Sequence, residues 1–105
     1  MEINKEIENL INENDICLFM KGTPDAPECG FSMAVTNVLK HLNVKFKGVN
    51  VLENEILRKG IKEFSDWPTI PQLYIKKEFI GGCDIVKEMF ENGELKKLLV
   101  EKNIS

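Results

Sequence analysis

No two cysteines stand close together in this sequence. Cys17, Cys29 and Cys83 are scattered singly, and Ser32 occupies the place where a Cys-x-x-Cys pair would close. Unpaired thiols among 30% charged residues suit a reducing compartment, cytoplasm or mitochondrial matrix, better than a disulfide-stapled secreted domain. Histidine is scarce as well: His41 is the only one and falls near a helix end, which argues against a histidine-based zinc or acid–base centre. Positive charge is short, with 14 basic residues against 17 acidic and a net charge of −3. Nucleic acid, whose phosphates demand a basic surface, is not an expected partner. Long apolar runs are missing too. "ICLFM" at 16–20 falls far below the ~20 residues that span a bilayer, and "MEINKEIENL" has neither an apolar signal core nor Arg-rich transit character. The expectation is a soluble chain with no membrane partner and no targeting segment.

What is present describes one domain. Its 105 residues, 43% of them hydrophobic, suffice for a single core, and no repeat or linker divides 1–105. Ile3, Ile7, Leu10 and Ile11 fall at helical spacing until "NEND" stops them, and Ile16–Met20 follows as an apolar strand. "KGTPDAPE" at 21–28 reads as a Pro/Gly loop, after which Phe31, Val35, Val38, Leu39 and Leu42 form one helical face ending near Asn43. "VKFKGVNVL" at 44–52 alternates as a second strand. A helix is expected from about Asn54 to Phe64, with Gly60 a weak point inside it and Trp67-Pro68 ending it. "PQLYIKKEFIGG" reads as two strands joined by "KKE", and "DIVKEMFENGELKKLLVEK" as helix broken at Asn92-Gly93. This order, α-βαβ-α-ββ-α, is that of the thioredoxin fold: an α/β domain whose central mixed four-stranded sheet is flanked by helices on both faces.

The chemistry gathers around "PECGFS" at 27–32. Cys29 follows a Pro-containing loop at a helix start, where free backbone N–H groups and the helix dipole favour a thiolate, the form that attacks disulfides and binds soft metals. Cys17, inside the apolar strand, reads as core. Lys21 closes the first strand, so its ammonium can reach over Cys29 and pair with a carboxylate. "TIP" at 69–71 has the form of a cis-proline loop beside an active cysteine; with the chain turned at Pro71, the backbone of Ile70 can pair with an extended peptide. Trp67 is open between core and surface partner site. In "GGCD" at 81–84, Asp84 is the expected N-cap of the last helical stretch, and Gly81-Gly82 allow close backbone approach to an anion.

Taken together, "FMKGTPDAPECGFS", "WPTIPQLYI" and "GGCDIVKEM" resemble, in order and spacing, the signatures of the CGFS-type monothiol glutaredoxins. The resemblance covers nearly the whole chain. Its departures are mild, with Ile70 where some members carry an aromatic residue and Asp66 where Asn is common. It implies a glutathione site in which Lys21, assisted by Arg58, meets the glycyl carboxylate. The N–H groups of Cys83 and Asp84 would hold the γ-glutamyl carboxylate, and the Asp84 side chain the amino group. For Cys83 two roles stay open, lining the pocket or forming a disulfide with Cys29. A [2Fe–2S] cluster commonly takes four thiolates. One Cys29 from each of two chains and one glutathione thiol beside each complete the set, which makes the implied role that of an iron–sulfur cluster carrier. The expected assembly is a homodimer when cluster-bound and a monomer when apo, and BolA-like, assembly or recipient proteins are its implied partners. The alternative is a glutathione-dependent oxidoreductase in which Cys29 attacks a mixed disulfide and free glutathione resolves it. The loop "GTPDAPE", which the resemblance associates with poor reductase activity, favours the carrier, and whether the chain is an enzyme stays open.

Overall fold

The computed structural model describes residues 2–104. Strand β1 (Ile16–Met20) is buried along its whole length. A strand apolar on both faces belongs in the middle of a sheet. The sheet order is β2-β1-β3-β4: β2 (Lys47–Asn50) runs parallel to β1, while β3 (Gln72–Ile75) is antiparallel both to β1 and to β4 (Glu78–Gly81). Period-2 alternation divides the side chains between two cores. Cys17, Phe19 and Tyr74 face α1 (Glu2–Glu13) and α3 (Glu55–Ser65), meeting Ile7, Ile11, Leu57 and Ile61. Ile16, Leu18, Met20, Leu73 and Ile75 face α2 (Gly30–His41), α4 (Cys83–Glu91) and α5 (Glu94–Glu101), meeting Val35, Leu39, Val86 and Leu95. Helices thus cover both faces of the mixed sheet, as the element order implies. Among the described residues no helix is long and apolar enough to cross a membrane.

Local chemistry corrects some boundaries. The second strand, expected over 44–52, is confined to Lys47–Asn50, and at its C-terminal end the Asn50 side chain turns the chain. Its Oδ1 accepts from the N–H groups of Gly22 at 2.9 Å and Leu52 at 3.0 Å, and Val51–Glu53 becomes a single 3-10 turn. Helix α3 starts where expected: Asn54 is its N-cap, and Oδ1 accepts from the Leu57 N–H at 3.1 Å. The helix runs unbroken through Gly60, where a Cβ would stand 3.0 Å from Ile3 Cγ1, so this glycine lets α1 approach. Asp66 closes the helix in the left-handed region, which a short polar side chain tolerates. The β3–β4 hairpin turns on Lys76 and Lys77, both with positive φ, and Glu78 already belongs to β4.

Candidate functional site

The C-terminal end of β1 delivers the chain to Lys21, whose backbone is fixed on both sides. Its N–H donates to Ser32 Oγ at 3.0 Å, and its carbonyl accepts from the Glu28 N–H at 3.0 Å. Ser32 is fully buried, so the serine standing where a second thiol would be expected acts as an acceptor tying β1 to α2. Between these anchors the loop folds on itself. Thr23 and Ala26 exchange backbone hydrogen bonds, Gly22 bridges Pro27, and Lys40 Nζ donates to the Pro24 carbonyl at 2.8 Å.

Cys29 is the N-cap of α2, in extended backbone conformation, and its side chain makes no capping bond of its own. The backbone N–H of Ser32 is the largest influence lowering its thiol pKa. Burial opposes it, while the Phe31 N–H, the Lys21 ammonium and the Ser32 hydroxyl add to the lowering. This is the environment of a nucleophilic or metal-binding thiolate.

The opposite wall comes from two segments. The Ile70-Pro71 bond is cis, and both residues are buried. Beside them Gly82 makes a close passage, since a Cβ there would sit a tight 3.3 Å from both the Pro71 carbonyl oxygen and Trp67 Nε1. That close passage also corrects the expected cap: Gly82 is the N-cap of α4, and Asp84 is the second residue of the helix, its side chain outside the capping position. Cys83 opens α4 half-buried, and burial first, then the Asp84 carboxylate, raises its thiol.

These elements enclose a cleft of about 670 Å³ lined by Lys21, Cys29, Phe31, Thr69, Ile70, Pro71, Cys83 and Asp84. Arg58 is not among the lining residues; it pairs with Glu55 at 3.3 Å on the surface of α3. Lys62, one helical turn further on, takes a place in the wall. Sequence reasoning missed it, although its i+4 spacing from Arg58 put both on one helix face. Trp67, open between two roles, lines the cleft and packs on Phe79 with centroids 5.6 Å apart. His41 stacks edge-on against Phe90, away from the cleft. A larger cleft of about 770 Å³ between the α1–β1 turn and β2 holds lysines and carboxylates but no thiol, so it offers no comparable chemistry. Among the described residues no group of three or more His, Cys, Asp or Glu side chains is placed to hold a metal ion.

The family model described as Glutaredoxin matches residues 16–80. The probable monothiol glutaredoxin 2 of Rickettsia typhi is 54% identical over 98 residues, 93% of this chain and 88% of that protein. A chloroplastic monothiol glutaredoxin of Arabidopsis thaliana is 56% identical over 91% of this chain, which spans 56% of that protein's length. The mitochondrial monothiol glutaredoxin-5 of Saccharomyces cerevisiae is 56% identical over 95% of this chain and 69% of its own. Among solved structures, a monomeric truncated mutant of Trypanosoma brucei 1-C-Grx1 superposes with a TM-score of 0.89 at 45% identity, covering 97% of this chain and 93% of that one. A buckwheat glutaredoxin solved as a glutathione complex shares the fold, with a TM-score of 0.84 at 22% identity over 95% of this chain and 89% of its own. With Cys29 the lone thiol of its helix terminus and Ser32 buried behind it, the chain belongs to the glutaredoxin family, among its monothiol members.

Proposed function

We propose that the cleft binds glutathione and that Cys29, with the glutathione thiol beside it, provides half the ligands of a [2Fe–2S] cluster carried between two copies of the chain. The observation that carries this reading is that one thiol alone is both lowered in pKa and set in the cleft wall. Cys17 is fully buried and the Cys83 thiol is raised. A tetrathiolate site then draws two ligands from two chains and two from the tripeptides. The lining fits glutathione in charge: two ammonium groups, Lys21 and Lys62, and the free N–H groups at the start of α4 face two carboxylates, while Asp84 faces one ammonium. The buckwheat relative of the same fold was solved with that ligand. Arg58 would join only if its side chain left Glu55 for the glycyl carboxylate. Half the cluster's ligands being diffusible, the cluster is cargo, loosely held and passed to recipient or BolA-like proteins. The same lowered thiol suits attack on a glutathione mixed disulfide, with the Cys29 sulfur forming the new bond and the substrate thiolate leaving.

Anaerobic reconstitution with iron, sulfide and glutathione separates the two. A coloured dimer with two irons, two sulfides and two glutathiones is expected, bleaching and dissociating to monomers on chelation. A colourless monomer that turns over a glutathione mixed disulfide briskly would make the oxidoreductase the better reading.

A further inference from the structure

We infer that Gln72 is a positioning residue for the cleft, holding the 67–71 loop in its ligand-binding shape, a role that rests on the glutathione reading given above. Gln72 opens β3 and is fully buried on the α1/α3 side of the sheet, where its strand neighbour Tyr74 packs into an apolar core. Its Nε2 donates to two carbonyls of the adjoining loop, Trp67 O and Thr69 O, each at 3.1 Å. Apart from apolar anchors, Ile70 buried in the α1/α3 core and Trp67 against Phe79, the loop has few hydrogen bonds to set its shape. Pro68 and Pro71 lack an N–H, and outside the sheet and helices no described backbone–backbone hydrogen bond involves residues 68–71. Yet Thr69, Ile70 and Pro71 form one wall of the cleft.

The amide orientation follows from its partners, because the reverse flip would set Oε1 against two carbonyl oxygens. Oε1 itself has no hydrogen-bond partner among the described residues. A buried amide satisfied at one end only is a poor choice for stability; an apolar side chain of the same volume would bury at lower cost. What glutamine adds at this position is the pair of bonds that fix the loop. It does not line the cleft, so it acts through Thr69 and Ile70.

The substitution Gln72→Met keeps length and volume and removes both donors. Three measurements on the full chain test it: glutathione affinity by calorimetry, emission of Trp67, the only tryptophan, and the iodoacetamide rate of Cys29 without glutathione. Loss of two hydrogen bonds of ordinary strength should weaken glutathione by about tenfold. Trp67 emission should shift to the red as the loop loosens, while Cys29, governed by α2 and Lys21, should alkylate at the parent rate. If the methionine variant does not fold, Gln72→Asn, whose shorter arm cannot reach both carbonyls, should give the same pattern. Parent-like affinity and emission in a folded variant overturn the proposal alone, as does a Cys29 rate that falls in step with affinity. A parent chain that binds no glutathione overturns the cleft reading and the proposal with it.

Discussion

Three thiols of one chemistry are given three reactivities by their neighbours. Near neutral pH the fraction present as thiolate rises as the pKa falls, and the thiolate is what alkylates. The Ser32 N–H, with the Phe31 N–H and Lys21 behind it, lowers Cys29; burial and the Asp84 carboxylate raise Cys83; burial pushes Cys17 up to about 12. Iodoacetamide followed by peptide mass mapping should therefore modify Cys29 first, Cys83 more slowly and Cys17 only once the chain is unfolded. Cys83 reacting ahead of Cys29 would contradict the helix-terminus account. Cys29 was legible because a Pro-containing loop and an apolar helical stripe bracket it, and Cys17 because it sits within an unbroken apolar run. Lys62 was not legible: periodicity identifies α3 but leaves open whether its cleft-facing turn carries residue 58 or residue 62. The two share a face, so the choice depends on where the cleft lies along the helix axis, and that placement comes from the packing of α3 on α1, through contacts such as Gly60 against Ile3.

At the scale of elements, the 21–28 loop decides how β1 hands the chain to α2. Gly22 has a φ of 89°, and a Cβ there would meet Ala26 O and Glu28 N, both at 2.6 Å. Those are backbone atoms of the same tight loop, already engaged with Thr23 and Lys21, so they cannot yield without breaking it. Gly93 has a nearly equal φ of 86° with nothing within 4 Å, which makes it the control for conformational cost alone. Gly93→Ala should cost about 1 kcal/mol, the left-handed penalty. Gly22→Ala should cost roughly 2 kcal/mol more, an overpacking term added to the same penalty. Urea unfolding of both variants measures the difference, and equal losses would mean the loop is soft. The sequence announced this loop through its two prolines and its glycine. It did not announce that β2 stops at Asn50, because alternation persists through Val51 while the side-chain amide bonds that end the strand are invisible to periodicity.

At the scale of the whole molecule, the element order carried the topology, since one strand apolar on both faces can only be central. The pairing of ionisable groups across that sheet emerges only with its register. Cys17 on β1 lies opposite Tyr74 on β3, both facing the α1/α3 core. Burial pushes the Cys17 thiol from 9.0 up to about 12 and the Tyr74 phenol from 10.0 up to about 12. Each group thus keeps its proton in the folded chain at pH values where the unfolded chain has lost it. Stability from this source is complete below pH 9.0, then falls as pH climbs from 9.0 for Cys17 and from 10.0 for Tyr74 toward 12. The slope approaches about 1.4 kcal/mol per pH unit for each group. Urea midpoints under reducing conditions should decline from the thiol's own range upward, more steeply once the phenol joins; below that range the lowered Cys29 thiol works in the opposite direction. Compared in a Cys83→Ser background, which removes the other raised thiol, Cys17→Ala begins from a lower stability, because it removes buried volume, but its decline should start about one pH unit later, with Tyr74. Parallel alkaline declines in parent and variant would show that Cys17 is not the group responsible and that the strand pairing leaves its thiol free to ionise.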